Sequence, residues 1–396
     1  MTVFTTNFYG RIWKNMVVLT PPLGWNTWNT FGCEINERLI LESAKIMISS
    51  GLRDAGYEYI VLDDGWQLRQ RDEHGRLVPD PEKFPRGIRA LADDLHAMGL
   101  KLGIYSCAGQ MTCGAYPGSH SYEFEDAESF ASWHVDYLKY DYCYKPQHEQ
   151  GDQLYQRMAL ALANSGRDIV FSACSWGNDE THKWIKSTGA HLWRSTVDIW
   201  DTWESICRLA KQQKELLPYN GLGCFNDMDM LVVGMNGNGN VGLAGCTDTQ
   251  YKTHFSFWAF MGSPLMIGCD IRSMTPETAK ILLNKDMIAI NQDRGYRQPF
   301  SIGGSFNFQV GDVDNGFVWA KILENGDIAI GMFNFSEDAR HMYFTLPDLS
   351  LQRYCGRKLE LTDLWTGEVS YTEGERYITT VEACDCRVFR AKLIPV

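Results

Sequence analysis

The sequence has no run of about 18 consecutive apolar residues, the length a membrane-spanning helix needs, so no membrane span is expected. Its opening stretch, MTVFTTNFYGRIWKNMVVL, lacks the apolar run of about seven or more residues that a secretory signal requires. No Gly-rich phosphate loop follows an early strand-like segment, which removes support for a dinucleotide-binding sheet. No His-Glu-x-x-His or similar ligand cluster occurs, so neither a catalytic metal nor a cofactor is expected. Positive charge is in deficit. The net charge of -12 argues against nucleic acid or an anionic membrane surface as a partner. Internal repeats and low-complexity segments are absent. The 12 Cys are scattered rather than framed as a disulfide scaffold, so most are expected to be thiols, in a bacterial cytoplasm. The CDC triplet at 384–386 has no further ligand types around it and reads as part of a C-terminal strand.

What the sequence does hold is aromatic. Its 13 Trp, 18 Tyr and 19 Phe suit a large core, and flat rings also suit the C–H faces of sugars. From about residue 20 to 290, strand-like and helix-like segments alternate. The strand-like pieces are LGWNTW (23–28), YEYIVLDD (57–64), KLGIYSCA (101–108), YLKYDYC (137–143), IVFSACSW (169–176), HLWRST (191–196), GCFNDMDM (223–230) and PLMIGCD (264–270). Helical patterns lie between them, such as 36–56, 86–99 and 155–166. Eight strands alternating with helices predict a parallel (β/α)8 TIM barrel rather than an open doubly wound sheet. After INQDRGYRQP (290–299) the texture changes to short alternating runs, FNFQV, GFVWAKIL, DIAIGMFNF, HMYFTLP, KLELTDLW and CRVFRAKL. These predict a C-terminal antiparallel β-sandwich. The expected division is an N-terminal extension over 1–19, a barrel over 20–297 and a sandwich over 298–396. The connection has no Gly/Ser-rich character, so the two domains are expected to pack firmly.

In a TIM barrel the chemistry gathers at the C-terminal ends of the strands. There the sequence places Trp28, Asp63 and Asp64, Lys139 and Asp141, Trp176, Arg194 with Asp198 and Asp201, then Asp227 and Asp229. A single acid in such a place is most often a loop residue or a helix cap. Acids after four different strands, with a Lys and an Arg among them, point to a site. Lys139 and Asp141 stand two apart on one strand and so share a face. A cation beside Asp141 favours its ionised form, as a nucleophile needs. A second carboxyl, held protonated, would serve a leaving group, which is the logic of glycoside hydrolysis. Two readings from other classes remain. A Schiff-base aldolase would use Lys139, but a nearby carboxylate would hold that amine as an unreactive ammonium. A sugar-binding protein without catalysis should lack one of the two carboxylates.

The segments PPLGWNTWNTFGC (21–33), YIVLDDGWQ (59–67), LKYDYC (138–143), WRSTVDIWDTW (193–203) and NDMDML (226–231) resemble the α-galactosidases and α-N-acetylgalactosaminidases of glycoside hydrolase family 27. The resemblance implies that Asp141 is the nucleophile and Asp198, not Asp201, the acid/base of a retaining mechanism. It implies that Asp63 and Asp64 bind O4 and O6 of galactose, that Lys139 and Arg194 bind ring hydroxyls, and that Trp28 is the platform under the sugar. Tyr105 and Asp229 match pocket-lining residues, and Cys113 and Cys143 match a family disulfide beside the nucleophile. The expected partner is an α-galactoside, small or oligosaccharide, and formation of a homo-oligomer is left open.

Two departures stand out. Many relatives read DDCW where this chain has Gly65, so Cys33 has lost its family partner. After the fifth strand, galactosidases commonly read CEW. This chain reads CSWGN, with Ser175 and Asn178. In the family a Ser there goes with an N-acetyl substituent at C2, whereas Asn178 matches neither pattern. An α-galactosidase is the expected activity, with α-N-acetylgalactosaminidase and β-L-arabinopyranosidase as alternatives.

Overall fold

The computed structural model describes residues 17–306, 316–352 and 355–396. The expected N-terminal extension therefore lies outside the described residues as far as position 16, and so does FNFQV after Phe306.

Eight short parallel strands form the first half: β1 (Leu23–Asn26), β2 (Tyr59–Val61), β3 (Lys101–Cys107), β4 (Tyr137–Asp141), β5 (Val170–Ala173), β6 (Leu192–Arg194), β7 (Phe225–Asp227) and β8 (Leu265–Ile267). They are ordered β7-β6-β5-β4-β3-β2-β1-β8, each paired in parallel with the next. The ring closes just beyond β7, where Leu231 bridges in parallel to Ile267 of β8. There the Leu231 N–H donates to the Met266 carbonyl at 2.7 Å and the Gly268 N–H to the Leu231 carbonyl at 2.9 Å. Most barrel strands are buried on both faces, which is why they read as nearly continuous apolar runs.

The helices follow the local rules. In the helix Glu37–Ser49, the Asn36 side chain accepts from the Leu39 N–H and caps the start. Leu39, Ile40, Ala44 and Met47 then fall on one buried face. The sequence pattern runs this helix on to Gly56. It stops at Ser49 because Gly51 turns to φ 84°, a left-handed exit suited to glycine. The helix Asp248–Met261 starts with a capping box between Thr247 and Gln250 and leaves through Gly262 at φ 72°.

The second half is antiparallel throughout. One sheet holds β10 (Gly304–Phe306), β13 (Arg340–Thr345) and β16 (Arg376–Val381). The other holds β15 (Val369–Tyr371), β14 (Arg357–Asp363), β17 (Cys386–Pro395), β12 (Ile328–Asn334), β11 (Gly316–Ile322) and β9 (Phe300–Ser301), in that order. Met342, Phe344 and Tyr377 from one sheet meet Val318, Ile330, Leu361 and Phe389 from the other in a shared core.

The two halves share a hydrophobic core. Every residue from Thr253 to Met261 is buried, because that helix lies between barrel and sandwich. Phe257 meets Phe333 at 5.1 Å and Phe335 at 5.4 Å, both edge-on, and Trp203 stacks on Phe335 at 5.7 Å. Polar contacts frame the seam, with the Trp365 indole N–H donating to Ser256 Oγ at 3.0 Å and Lys252 pairing with Asp385 at 2.5 Å.

Candidate active site

A pocket opens at the C-terminal end of the barrel. Trp28, Asp63, Tyr105, Cys113, Lys139, Asp141, Trp176, Arg194, Asp198 and Asp229, all singled out in the sequence, line it. Lys139 and Asp141 both reach it, as strand alternation requires. Tyr105 of β3 lies in register with Lys139, whose ammonium sits 5.3 Å from the ring centre.

Lys139 does not take Asp141 as its close partner. Its Nζ crosses to Asp63 Oδ2 at 2.8 Å, and the same oxygen accepts from Asn26 Nδ2 at 2.8 Å. A long side chain from β4 reaches the loop end of β2 more readily than a short carboxylate two residues along its own strand. Burial opposes the Lys139 charge, but Asp63, with Cys174 and Asp141 behind it, outweighs burial and holds the ammonium protonated. A Schiff-base role needs a free amine, so the ion pair disfavours the aldolase reading.

Asp141 itself is buried, and its Oδ1 accepts from the Tyr142 N–H at 2.8 Å. Burial pushes this carboxyl up to about 6, against the pull of Lys139 and Tyr142, while Asp63 and Asp198 add to the push. The sequence showed only the cation beside this carboxyl. In the folded chain desolvation is larger.

Asp198 stands at the rim with its side chain 61% exposed. Its Oδ1 accepts from Arg194 Nη2 at 2.8 Å, and the same nitrogen pairs with Asp229 Oδ2 at 2.5 Å. Arg194 is therefore shared between a buried and an exposed carboxylate. Asp229 keeps its place through the Ile199 and Met230 N–H groups, each donating at 2.7 Å. Asp229 adopts φ 82° and Trp176 φ 57°, left-handed conformations that cost a non-glycine residue roughly 1–3 kcal/mol and gather at working sites. At Trp176 the neighbours hold the turn: the Gly177 N–H donates to the Arg194 carbonyl at 3.1 Å and the Asn178 N–H to Ser175 at 2.9 Å.

Three expected residues lie behind the lining. Asp64 is buried, with its carboxylate accepting from the Gly65 N–H at 2.9 Å and the Gly114 N–H at 2.7 Å. Ser175 is buried and hydrogen-bonds Thr181 Oγ1, which in turn donates to the Asn178 carbonyl at 2.5 Å. Cys143 pairs with Cys113 as a disulfide, Cα atoms 5.3 Å apart. The two sulfurs sit beside the Asp141 carboxylate but offer no thiolate to a metal. Ten other cysteines among the described residues are free. Asp201, set aside in the sequence, is held away from the pocket by the Tyr251 hydroxyl at 2.8 Å and the Gly237 N–H at 2.7 Å.

Sequence reasoning missed Asn26, Asn29, Cys174 and Met230. Asn26 ends β1 and grips Asp63, while the other three line the pocket. A polar residue closing an apolar strand was the available signal for Asn26. For the others none existed, since strand-end position alone does not distinguish them.

A family described as "Alpha galactosidase A" matches residues 20–293, and "Alpha galactosidase C-terminal beta sandwich domain" matches residues 314–391. Alpha-galactosidase 3 of Arabidopsis thaliana is 40% identical over 390 residues, covering 98% of this chain and 85% of its own. The crystal structure of alpha-galactosidase I from Mortierella vinacea superimposes with a TM-score of 0.84 at 32% identity, over 94% of this chain and 97% of that one. The α-galactosidase of Saccharomyces cerevisiae, solved with raffinose, also gives a TM-score of 0.84, at 28% identity, over 95% and 98% of the two chains.

Proposed function

The chain belongs to the α-galactosidase A family and is an α-galactosidase, a glycoside hydrolase of terminal α-D-galactosyl residues, and from that premise we propose that it works by double displacement through Asp141 and Asp198. The observation that carries the proposal is a buried carboxyl and an exposed one lining the same pocket. Asp141 attacks the anomeric carbon from the pocket floor while Asp198 gives a proton to the departing oxygen. A β-linked glycosyl-enzyme forms. Asp198 then takes a proton from water, which releases an α-sugar. The rim suits Asp198, because leaving group and incoming water both pass there. Retention requires carboxyl groups about 5–5.5 Å apart.

The sugar's contacts follow from the lining. Asp63, with Lys139, takes ring hydroxyls, as does Arg194 with Asp229. Trp28 supplies the apolar platform. Tyr105 brings a buried hydroxyl that has no partner among the described residues. Asp64 shapes the wall through Gly65 and Gly114. Ser175, tied to Thr181, leaves the C2 side of the pocket to Cys174 and Trp176. The galactosidase reading is favoured over the N-acetylgalactosaminidase one by the relatives at about 40% identity. A site built around paired carboxylates rejects substrates lacking a hydroxyl by up to about 10⁴–10⁵.

The test compares kcat/KM for the nitrophenyl α-galactoside, α-N-acetylgalactosaminide and β-L-arabinopyranoside, with the product anomer followed by NMR. The expected order puts the α-galactoside first and gives α-galactose as the initial product. A preference for either competitor, or inversion, would overturn the reading.

A further inference from the structure

At the opposite end of the barrel, below the starts of β3 and β4, two imidazoles and a carboxylate converge. His96 and Asp93 lie one turn apart near the end of the helix Gly87–Ala97, and His134 follows the helix Glu123–Ser132. One ligand atom from each lies within 4.8 Å of the other two. The rings are close to parallel, 25° apart with centroids 6.3 Å apart, and all three side chains are reachable from solvent. The pocket uses none of these residues.

The surroundings resemble the outer shell of a metal site. His96 Nε2 contacts Asp136 Oδ2 at 2.7 Å. That carboxylate is itself fixed, Oδ2 by the Leu102 N–H at 2.8 Å and Oδ1 by Arg167 Nη2 at 2.5 Å. An acceptor-only carboxylate on Nε2 makes that nitrogen the N–H bearer. Nδ1 is then left with its lone pair, and metal-binding histidines are oriented in this way. Asp93 Oδ1 receives His134 Nδ1 at 3.0 Å, and Arg89 Nε donates to both oxygens, Oδ2 at 3.0 Å and Oδ1 at 3.2 Å. Arg89 also donates to the Ser132 carbonyl at 2.8 Å, so it braces both helices. His134 is at φ 60°, a left-handed conformation that turns its ring back over the first helix.

We propose that His96, His134 and Asp93 form a binding site for a divalent transition cation of the zinc class, with Asp136 as the carboxylate that orients His96. Two nitrogens and one oxygen suit zinc rather than magnesium or calcium, which prefer all-oxygen shells. Three protein ligands and one water complete four-coordination. Binding requires small rotamer shifts, because ligand atoms that lie within 4.8 Å of one another must close to about 3.3–3.6 Å, the spacing that bonds of about 2.0–2.2 Å set at tetrahedral angles. The cation would clip the helix Gly87–Ala97 to the segment after Glu123–Ser132, so its effect is on stability rather than on the pocket.

The full-length protein, treated with chelator and dialysed, is titrated with Zn²⁺ by calorimetry, with Mg²⁺ and Ca²⁺ as controls. Co²⁺ serves as a spectroscopic probe because ten free cysteines could also bind soft metals. The expected result is one Zn²⁺ site. Its Co²⁺ form should show the visible bands of four-coordination without thiolate-to-cobalt charge transfer. His96→Ala and His134→Ala should each abolish this site and the zinc-dependent rise in Tm, with galactosidase activity retained. Asp136→Asn should weaken binding about 10–100-fold. Should Asp136→Asn fail to fold, the two surface histidine variants still decide. Absence of binding, a thiolate signature alone, or affinity unchanged in both histidine variants would overturn the proposal.

Discussion

At Asp141 a carboxylate is taken out of water with one backbone N–H as its hydrogen-bond donor, while the nearby ammonium is committed to Asp63. Its raised pKa of about 6, against the ordinary 3.8, means that the fold disfavours the ionised form. Between those two values the native state holds more protons than the unfolded chain, so stability falls as pH rises through the window and levels off above it. Asp141→Asn should therefore stabilise the inactive protein at pH 7, by up to about 3 kcal/mol from two pKa units. The gain should vanish near pH 4. Denaturant melts of both proteins at the two pH values check this, and an unchanged or lower midpoint at pH 7 would contradict it. At this scale the sequence was partly legible. Alternation on YLKYDYC put Lys139 and Asp141 into one pocket. It did not reveal that Lys139 pairs with Asp63, because that contact joins residues 76 positions apart.

Elements were legible in kind and less so in extent. All eight barrel strands appear where the apolar runs lie, but β2, β6, β7 and β8 keep only three residues each. The residues beyond them are loop carrying the site, and polar strand ends look alike in sequence whether they pair or not. In the sandwich, β9, β15 and β16 went unread. Val369, Tyr371 and Ile378 are exposed apolar residues that blur their alternation. At Gly65 the local geometry does not suit a disulfide to Cys33. A Cβ on Gly65 would lie 2.7 Å from the Cys33 Cβ, closer than the roughly 3.5–4.5 Å a disulfide spans. Lys83 joins the two segments, its Nζ donating to the Cys33 carbonyl at 2.9 Å and the Gly65 carbonyl at 2.8 Å. Lys83→Met keeps the apolar stem and removes both bonds. It should lower stability by about 1.5–3 kcal/mol, the range for hydrogen bonds from a charged donor. A denaturation midpoint equal to that of the parent would show that Lys83 does not fasten this corner.

On the scale of the whole molecule, barrel and sandwich are fastened by the helix Asp248–Met261, which from Thr253 onward is buried all round and shows no apolar stripe. The missing Gly/Ser linker suggested firm packing, and the shared Phe257–Phe333–Phe335 cluster provides it. Which side chains meet there was not legible, since a helix buried on every face shows no period to read. The site lies at the other end of the same barrel from the proposed cation clip, so chemistry and fastening occupy opposite faces of the ring. The central claim is that Asp141 becomes covalently bonded to the sugar. A fluorinated galactosyl probe with a good leaving group should accumulate that intermediate, and digestion with mass spectrometry locates the label. The account predicts one equivalent per chain on Asp141, with Asp198→Ala still labelled and its turnover restored by added azide. Label on Asp63 or Asp229, or no label together with an inverted product, would contradict it.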